Sequence, residues 1–423
     1  MKLSAKAFVL LLFAQVLGLW AFAQDTTQHI VPGRQNSKAQ QQKPYVILIS
    51  ADGFRYDLAD SFHAKNLIRF RSQGVQAEYM KPSYPSLTFP NHYAIITGMY
   101  PAHNGLVDNS FYDANKNKIY TMGNKTEVAD SSWYGGTPLW VLAEQQQMLS
   151  ASFYWVASEA AIQGVRPTYY YIYNEKIGID ERIAAVKKWL QLPPEKRPHF
   201  ITFYLPEVDH EEHMHGVFSP ETAHAVQFVD EAIAKLNEAL APLNLPINYI
   251  FLSDHGMVDV DVNHTLPLPA QVDTANFIVP RSDMLLHLYA KNKNAIMPTY
   301  TALKNSATGY NVYLANEIPE NWHYNAANDY FNRVGDILLV PQYPKVFNLS
   351  SRKITPGKHG YDNNMTEMRA TFYAWGPAFK QQFKIRGFEN VHVFPLIAKI
   401  LGLQYQADAI DGQLKVLAPI LKQ

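Results

Sequence analysis

Residues 200–216 read FITFYLPEVDHEEHMHG, an apolar run followed at once by carboxylates and histidines. The first six residues have the length and the aromatic content of a strand buried on both faces. A helix is predicted after them, because Ser219 suits an N-cap, Pro220 suits the first position, and apolar residues then recur at helical spacing up to Leu240. A second buried strand is predicted at residues 249–253 (YIFLS). Strand, helix and strand in this order predict a parallel βαβ unit.

A third apolar run, residues 45–50 (YVILIS), has the same character and adds a strand to this sheet. We therefore expect an α/β fold with a mostly parallel central sheet flanked by helices, within a catalytic domain over residues 44–423. Residues from about 257 to 356 interrupt the pattern with short strand-like pieces and one helix-like piece. They are expected to form a smaller inserted α+β lobe.

The composition excludes several classes of protein. With 423 residues and 47% hydrophobic side chains, the chain can bury a large core. Its formal net charge is zero, so electrostatics gives no reason to expect binding of a nucleic-acid polymer or an anionic membrane. The chain has no cysteine, which excludes disulfides, a cysteine nucleophile, cysteine-ligated zinc and iron–sulfur clusters.

The N-terminus predicts export. Residues 1–23 have a basic start at Lys2 and Lys6, an apolar run and a final Ala-Phe-Ala, and are expected to be a cleaved signal peptide. An uncleaved membrane anchor is the alternative; after cleavage no stable membrane span is expected. Residues 24–43 are polar and rich in Gln, and we expect a flexible leader there. An exported chain of this size without cysteine favours a bacterial periplasmic or secreted protein.

Acidic residues and histidines follow each of the three predicted strands. Asp52 follows the first, Asp209 and His213 follow the second, and Asp254 and His255 follow the third. A single aspartate at a strand end is more often a turn former or a helix cap, so the recurrence is the signal. The carboxyl ends of parallel strands meet at one edge of a sheet, where ligands bind. Mixed carboxylate and imidazole ligands suit zinc best among the common metals.

A proline-punctuated bend at residues 82–101 (PSYPSLTFPNHYAIITGMYP) supplies a candidate nucleophile. Pro90 suits the first position of a short buried helix, which places Thr88 at or just before the helix N-terminus. The helix dipole favours negative charge there. Thr88 is therefore either an N-cap or a nucleophile whose alkoxide is stabilised. Ser83 and Ser86 are rival nucleophiles further from the helix start.

Five motifs in this chain, taken together and in this order, resemble those of the nucleotide pyrophosphatase/phosphodiesterase family in the alkaline phosphatase superfamily. The resemblance covers most of the chain from about residue 44 onward, is weakest across the expected lobe, and implies an alkaline-phosphatase-like core. The motifs are ISADGFR (49–55), YPSLTFPNHYAIITGMYPAHNGLVDNSFYD (84–113), PEVDHEEHMHG (206–216), LSDHGM (252–257) and HGYDN (359–363).

The resemblance implies two zinc ions per chain and gives each site residue a role. Thr88 would be the nucleophile and would also bridge toward one zinc. Asn109 would donate a hydrogen bond to a non-bridging phosphate oxygen. The implied zinc ligands are Asp209, His213 and His359 for one ion, and Asp52, Asp254 and His255 for the other.

The resemblance also implies a nucleotide slot with walls formed by Phe89, Tyr173 and Tyr204, because nucleobases stack on aromatic faces. No Lys or Arg lies between Lys81 and Lys116, and none lies at residues 200–217. A phosphomonoester dianion needs more positive charge around it than a diester monoanion does. The sequence therefore favours a diester or pyrophosphate substrate.

These observations predict an exported, zinc-dependent phosphodiesterase or nucleotide pyrophosphatase. Its partner would be a small nucleotide or other phosphodiester, cleaved through a covalent phosphothreonine to release a nucleoside monophosphate. One alternative keeps the chemistry but uses glycerophosphodiesters or choline-type phosphodiesters. Another is a catalytically inactive, metal-containing binding protein on the same scaffold.

Overall fold

A computed structural model describes residues 26–350 and 352–422. The predicted signal peptide, residues 1–23, lies outside the described residues. Within the described residues, no helix has both the length and the apolar character needed to cross a membrane.

A nine-stranded sheet forms the centre of the molecule. Its five consecutive strands from Tyr169–Tyr171 to Ile247–Leu252 run parallel to one another, which confirms the predicted mostly parallel sheet. The strands predicted at residues 45–50, 200–205 and 249–253 are all present. In spatial order the nine strands are His29–Ile30, Tyr169–Tyr171, Ser150–Phe153, Phe200–Leu205, Tyr45–Ala51, Ile247–Leu252, Phe372–Trp375, Val75–Ala77 and Phe383–Ile385.

Helices cover both faces of this sheet. Along Tyr45–Ala51, side chains alternate between two hydrophobic clusters: Val46 belongs to one and Ile47 to the other. Ser219 caps the longest helix as predicted, its hydroxyl accepting from the Thr222 N–H at 3.1 Å. The α-helices are Leu58–Ser61, Lys65–Gln73, Thr88–Thr97, Pro101–Asn104, Lys125–Ala129, Leu139–Gln145, Ile179–Leu190, Glu207–His215, Pro220–Leu240, Ile296–Ser306, Val393–Leu401 and Leu414–Leu417.

The range predicted as an inserted lobe contains a second sheet with its own hydrophobic cluster. The chain returns to the main body where Gly357–Lys358 pairs with Val258–Asp259. Two further small pairings join Met80–Lys81 to Phe388–Glu389 and Ser110–Asp113 to Lys118–Thr121. The lobe sheet is antiparallel and has the strand order Phe277–Ile278, Leu286–Ala290, Ile337–Pro341 and Tyr310–Leu314.

Residues 26–43, the described part of the predicted flexible leader, lie against the domain. His29–Ile30 pairs with the edge strand Tyr169–Tyr171. The buried Asn36 amide donates to the Pro194 carbonyl at 2.8 Å. The structure therefore differs from the flexible leader that the composition predicted. Residues 26–43 are held by hydrogen bonds, and a count of apolar residues does not predict such contacts.

Candidate active site

The three central strands end at one edge of the sheet and deliver their polar residues there. In the parallel register, Ser50 lies opposite both Tyr204 and Leu252, so the next residues along each strand leave the sheet together. This register follows from the fully buried apolar runs, which fix how the strands align. Asp52 directly follows Tyr45–Ala51, Asp254 follows Ile247–Leu252 after one residue, and Asp209 lies in the first turn of the helix after Phe200–Leu205.

Asp52, Asp254 and His255 form one compact group, in which one potential ligand atom from each lies within 4.8 Å of the others. His255 Nε2 is 3.5 Å from Asp52 Oδ1 and 2.9 Å from Asp254 Oδ2. Each aspartate is held through its other oxygen. The Tyr204 hydroxyl donates to Asp52 Oδ2 at 2.5 Å, and the Gly53 N–H donates to Asp254 Oδ1 at 3.3 Å.

A second group surrounds Asp209. Its Oδ1 atom is 3.5 Å from His213 Nε2 and 3.7 Å from His359 Nε2. The His255 and His359 rings stack with their centroids 3.6 Å apart, and the compact set of three around Asp209 contains His255 and His359. The structure thus brings all six predicted ligands together. His255 belongs to both groups, however, so the geometry alone does not divide the six into the two sets that the resemblance implies.

The three histidines present their ring nitrogens in the same way. Each Nδ1 atom faces a backbone carbonyl, which can only accept, so Nδ1 donates to that carbonyl and Nε2 faces the cluster. The three Nδ1···O distances are 2.8 Å from His213 to Gly357, 3.0 Å from His255 to Gly256 and 2.9 Å from His359 to Ser86.

The residues present fit a metal centre. Three buried carboxylate oxygens, Asp52 Oδ1, Asp209 Oδ1 and Asp254 Oδ2, have no hydrogen-bond donor among the described residues. Burial raises the pKa of Asp52 well above its usual value, and the carboxylates of Asp254 and Asp209 raise it further. Cations would neutralise these carboxylates and occupy the oxygens without donors. Aspartate oxygens and imidazole nitrogens are ligands that zinc accepts.

Thr88 is the first residue of the helix Thr88–Thr97, and Leu87 is its N-cap. Leu87 makes no side-chain capping bond, and Thr88 lies inside the helix rather than at its N-cap position. Its Oγ1 atom lies 3.2 Å from His255 Nε2, at the edge of the metal-ligand cluster. Pro90 is at the third helical position, not the predicted first.

The rival hydroxyls, Ser83 and Ser86, are buried and hold the bend together. Ser83 Oγ donates to Asn390 Oδ1 at 2.7 Å, and Ser86 Oγ donates to the Tyr361 carbonyl at 3.0 Å. Neither is bonded to a member of the ligand cluster in this arrangement. Thr88 is therefore the hydroxyl of this bend that contacts the cluster.

Asn91 fixes the bend in place, and sequence reasoning missed it. Its Nδ2 donates to the carbonyls of Pro85 and Leu87, at 2.9 and 2.8 Å. Its Oδ1 accepts from the Ser83 N–H and from Asn390 Nδ2, both at 2.8 Å. An amide within an otherwise apolar helix is the one signal that could have indicated this role.

His92 was missed as well. It is fully buried behind Asp254, with Nδ1 3.3 Å from Asp254 Oδ2 and 3.0 Å from the Thr88 carbonyl. Burial alone would raise the pKa of Asp254. His255 and His92 instead lower that pKa well below its usual value. The Asp254 carboxylate is thus kept ionised, as a metal ligand must be.

Asn109 lies beside the helix that carries Thr88. Its Oδ1 atom accepts from the Phe89 N–H at 3.1 Å. That bond assigns the oxygen to the helix side, which leaves the two N–H groups of Nδ2 available as donors. The bond also satisfies one of the unpaired N–H groups in the first turn of the helix.

A cavity of about 440 Å³ adjoins the cluster, and Asp52, Thr88 and Asp209 form part of its wall. Tyr173 and Tyr204, two of the predicted slot residues, meet edge to face there, with centroids 5.9 Å apart. Aromatic side chains form much of the remaining wall. They are Phe89, Tyr154, Trp155, Tyr171, Tyr173 and Tyr204.

Lys125 and Glu159 also line this cavity, and sequence reasoning missed both. Burial raises the pKa of Glu159, and the nearby Lys125 offsets part of that rise. In a sequence, an isolated charged residue resembles a solvated surface residue. Only the folded chain shows that these two line a cavity. Together they give the aromatic cavity a polar edge that can hydrogen-bond a ligand.

Residues 46–362 match the family described as Type I phosphodiesterase / nucleotide pyrophosphatase. The chain belongs to this family, as the motif resemblance predicted.

Two named relatives illustrate the similarity. The chain is 34% identical over 373 residues to ectonucleotide pyrophosphatase/phosphodiesterase family member 3 of Bos taurus, a match covering 85% of this chain and 42% of that protein. It is 33% identical over 376 residues to venom phosphodiesterase of Macrovipera lebetinus, covering 86% and 44% respectively. The chain therefore spans less than half the length of these curated relatives.

Solved structures show the same fold. Human ectonucleotide pyrophosphatase/phosphodiesterase 5 superposes with a TM-score of 0.83 at 25% identity, covering 90% of this chain and 100% of that chain. An inactive variant of the murine protein 5 in complex with AMP gives 0.83 at 26% identity, with the same coverage. This similarity confirms the predicted alkaline-phosphatase-like fold class.

Proposed function

We propose that this protein is an exported, two-zinc phosphodiesterase or nucleotide pyrophosphatase that releases nucleoside monophosphates. The observation that carries the proposal is the position of Thr88. Its hydroxyl lies at a helix N-terminus, 3.2 Å from His255 Nε2, where buried aspartate oxygens without donors meet an aromatic cavity.

The six clustered residues and Thr88 would hold the metal. When bound, two zinc ions would stabilise charge on the attacking and leaving oxygens of an in-line displacement. We assign Asp209, His213 and His359 to one ion, and Asp52, Asp254, His255 and Thr88 to the other.

The protein's own groups then orient the reaction. Thr88 Oγ1 would form a bond to phosphorus while the bond from phosphorus to the leaving oxygen breaks, which leaves the nucleoside phosphate esterified to Thr88 as a phosphothreonine diester. The positive end of the helix dipole favours the alkoxide form of Thr88. Asn109 would donate from Nδ2 to a non-bridging oxygen. Water would then attack phosphorus and restore the Thr88 hydroxyl, so that two inversions give net retention.

The aromatic cavity suits a nucleotide. Stacking of a base on an aromatic side chain contributes about 1–3 kcal/mol, and Phe89, Tyr173 and Tyr204 offer such faces. Glu159 could accept a hydrogen bond from an exocyclic amine of the base. The solved complex of the murine relative with AMP supports the proposal that the present protein also binds a nucleotide.

The charge of the cavity favours a diester over a monoester. Among its described lining residues, Lys125 is the one Lys or Arg side chain, and it lies near the carboxylate of Glu159. A monoester dianion would therefore find no arginine clamp here. A diester or pyrophosphate group, with less charge at the reacting phosphorus, needs none.

The test compares two chromogenic substrates of the zinc-loaded enzyme. We expect hydrolysis of the p-nitrophenyl ester of thymidine monophosphate to exceed that of p-nitrophenyl phosphate by at least about 100-fold in kcat/KM, equivalent to about 2.7 kcal/mol. Faster cleavage of the monoester would overturn the diesterase assignment. Absence of any turnover by the zinc-loaded protein would favour the inactive binding protein.

Competition by AMP separates nucleotide from headgroup substrates. A nucleotide site should be inhibited competitively by AMP, whereas a glycerophosphodiester or choline-type site should ignore the base. Export is tested separately by the mass of the protein from the periplasm or medium, which should lack residues 1–23.

A further inference from the structure

The segment that carries Asn109 is held from the inserted lobe on both sides. Three side chains of the lobe reach across to residues 107–113 and bond there to one carbonyl and two aspartates. The bonds are Tyr324 Oη to the Val107 carbonyl at 2.7 Å, His287 Nε2 to Asp108 Oδ2 at 3.1 Å, and Arg333 Nε to Asp113 Oδ2 at 2.8 Å.

His287 and Asp108 form a fully enclosed pair, each with a side chain only 1% exposed. His287 Nδ1 lies 2.8 Å from the Val334 carbonyl and must donate to it, because a carbonyl only accepts. Nε2 faces a carboxylate oxygen, so a proton lies between the two. The second oxygen of Asp108 accepts from the Ser110 N–H at 2.9 Å. Each member of the pair thus has both of its polar atoms bonded.

Arg333 secures the other side of the same segment. Its side chain is 2% exposed and bonds through Nε to Asp113. Its NH1 group donates to the carbonyls of Gly105 and Trp133, at 2.8 and 2.6 Å. Breaking such a buried pair by removing one partner leaves an uncompensated charge, so these contacts tie the segment to the lobe.

Asn109 stands between these two anchors. It directly follows Asp108, and Ser110, the next residue, donates to the same aspartate. On its other side the Asn109 amide is fixed by the Phe89 N–H. The helix that carries Thr88 therefore positions the Asn109 side chain, and the lobe positions the backbone around Asn109. A donor to a reacting group must be placed to within about 0.5 Å, and a shift of about 1 Å costs up to about 100-fold in rate.

We propose that His287 and Asp108 are a positioning pair for Asn109, through which the inserted lobe holds the phosphate-oxygen donor in place. This inference rests on the proposed function, in which Asn109 donates to a phosphate oxygen. No residue of the lobe needs to touch the substrate for this role. The lobe acts on the rate of the reaction through the backbone at residue 108.

A double-mutant cycle tests the pair in the zinc-loaded, full-length protein. Asn109→Ala should lower kcat for the thymidine ester about 100-fold, as loss of one such donor does. His287→Gln should lower kcat about tenfold, with KM changed less than about twofold. In the double variant, His287→Gln should cause less than about twofold further loss, because the group that it positions is already gone.

Two further variants keep the test decisive. Val312→Ala removes bulk from the lobe's own hydrophobic cluster, which includes none of residues 105–113, so kcat should stay within about twofold. Tyr324→Phe deletes only the hydroxyl bonded to Val107 and should cause a smaller loss that also vanishes in Asn109→Ala. If His287→Gln fails to fold, the Tyr324→Phe cycle decides.

The inference is overturned if His287→Gln lowers kcat equally in both backgrounds, or if Val312→Ala lowers it as much. Either result means that the lobe contributes stability alone. If Asn109→Ala itself leaves kcat unchanged, the role of Asn109 in the proposed function fails, and the inference falls with it. Normal activity of Asn109→Ala would therefore contradict the proposed function, whereas additive losses in the double variant would contradict only the positioning role of the lobe.

Discussion

Two clusters of buried polar groups contact the Thr88 bend, and they differ in how many of their polar atoms are hydrogen-bonded. Around Asn91, both side-chain atoms of the amide are bonded, to four groups of the protein in all. Around Asp52, Asp209 and Asp254, one oxygen of each carboxylate has no donor among the described residues.

The difference separates scaffold from binding site. A buried polar group left without a partner costs about 1–3 kcal/mol, so a fold retains it only where something else completes it. The Asn91 cluster is complete in the folded chain and determines shape. In the proposed function, cations would complete the aspartate cluster. Glu212, beside Asp209, also has two buried oxygens without donors, but burial raises its pKa well above the usual value, so it can be neutral.

The largest expected effect comes from comparing the removal of two hydroxyls of the bend, one that contacts the ligand cluster and one that does not. Thr88→Ala should lower kcat by about 10⁴-fold or more, since it removes the nucleophile of the proposed function. Zinc content, measured by atomic absorption, should be unchanged, because the six side-chain ligands remain. Ser86→Ala, two residues earlier, removes a buried hydroxyl that bonds only to the Tyr361 carbonyl. It should leave kcat within about tenfold.

Equal losses in the two variants would mean that the bend matters for shape only and that Thr88 is not the nucleophile. Loss of zinc from Thr88→Ala would instead mean that its hydroxyl mainly holds the metal. Trapping of labelled phosphate on the native protein, but not on Thr88→Ala, would sharpen the distinction.

The contrast also explains what the sequence could reveal. Buried parallel strands appear as short apolar runs, and Asp52, Asp209 and Asp254 come soon after those runs, so the central strands and the gathering of these carboxylates at one edge were predictable. The partners of the scaffold cluster are not predictable in this way. Asn390 lies 299 residues from Asn91, and His287 lies 179 residues from Asp108. Only the folded chain brings such pairs together, and a single Asn or His carries no periodic signal.

A stability measurement probes the scaffold cluster. Asn91→Ala removes four hydrogen bonds and leaves the Ser83 N–H and the Asn390 amide buried without their partner. We expect the free energy of unfolding in urea to fall by about 3 kcal/mol, since each group left unsatisfied costs about 1–3 kcal/mol. The exposed Asn115 is the control: Asn115→Ala should change this free energy by less than about 0.5 kcal/mol.

The aspartate cluster should respond differently to the same change. Asn91→Ala leaves all six ligands in place, so zinc affinity should fall far less than stability does. An Asn91→Ala protein that loses zinc but keeps its free energy of unfolding would contradict the division into scaffold and site.

Tyr204 lies on the boundary between the two kinds of cluster, because its hydroxyl satisfies one oxygen of Asp52 while the other oxygen has no donor. Burial raises the pKa of Tyr204 well above its usual value, so the hydroxyl stays protonated and can donate. Tyr204→Phe keeps the ring as a wall of the nucleotide cavity and removes only this bond. Groups that orient a metal ligand typically account for about 10- to 100-fold in metal affinity.

We therefore expect Tyr204→Phe to weaken zinc binding about tenfold or more in chelator competition, with KM for the thymidine ester unchanged within about twofold at saturating zinc. Tyr173→Phe is the matched control: its hydroxyl bonds at 2.8 Å to Glu175, which is not a ligand, so zinc affinity should be unchanged. If Tyr204→Phe instead raises KM and leaves zinc affinity intact, the hydroxyl serves the substrate. That result would mean that Asp52 keeps its position without the Tyr204 hydroxyl, whereas Asp254 is held by the backbone N–H of Gly53.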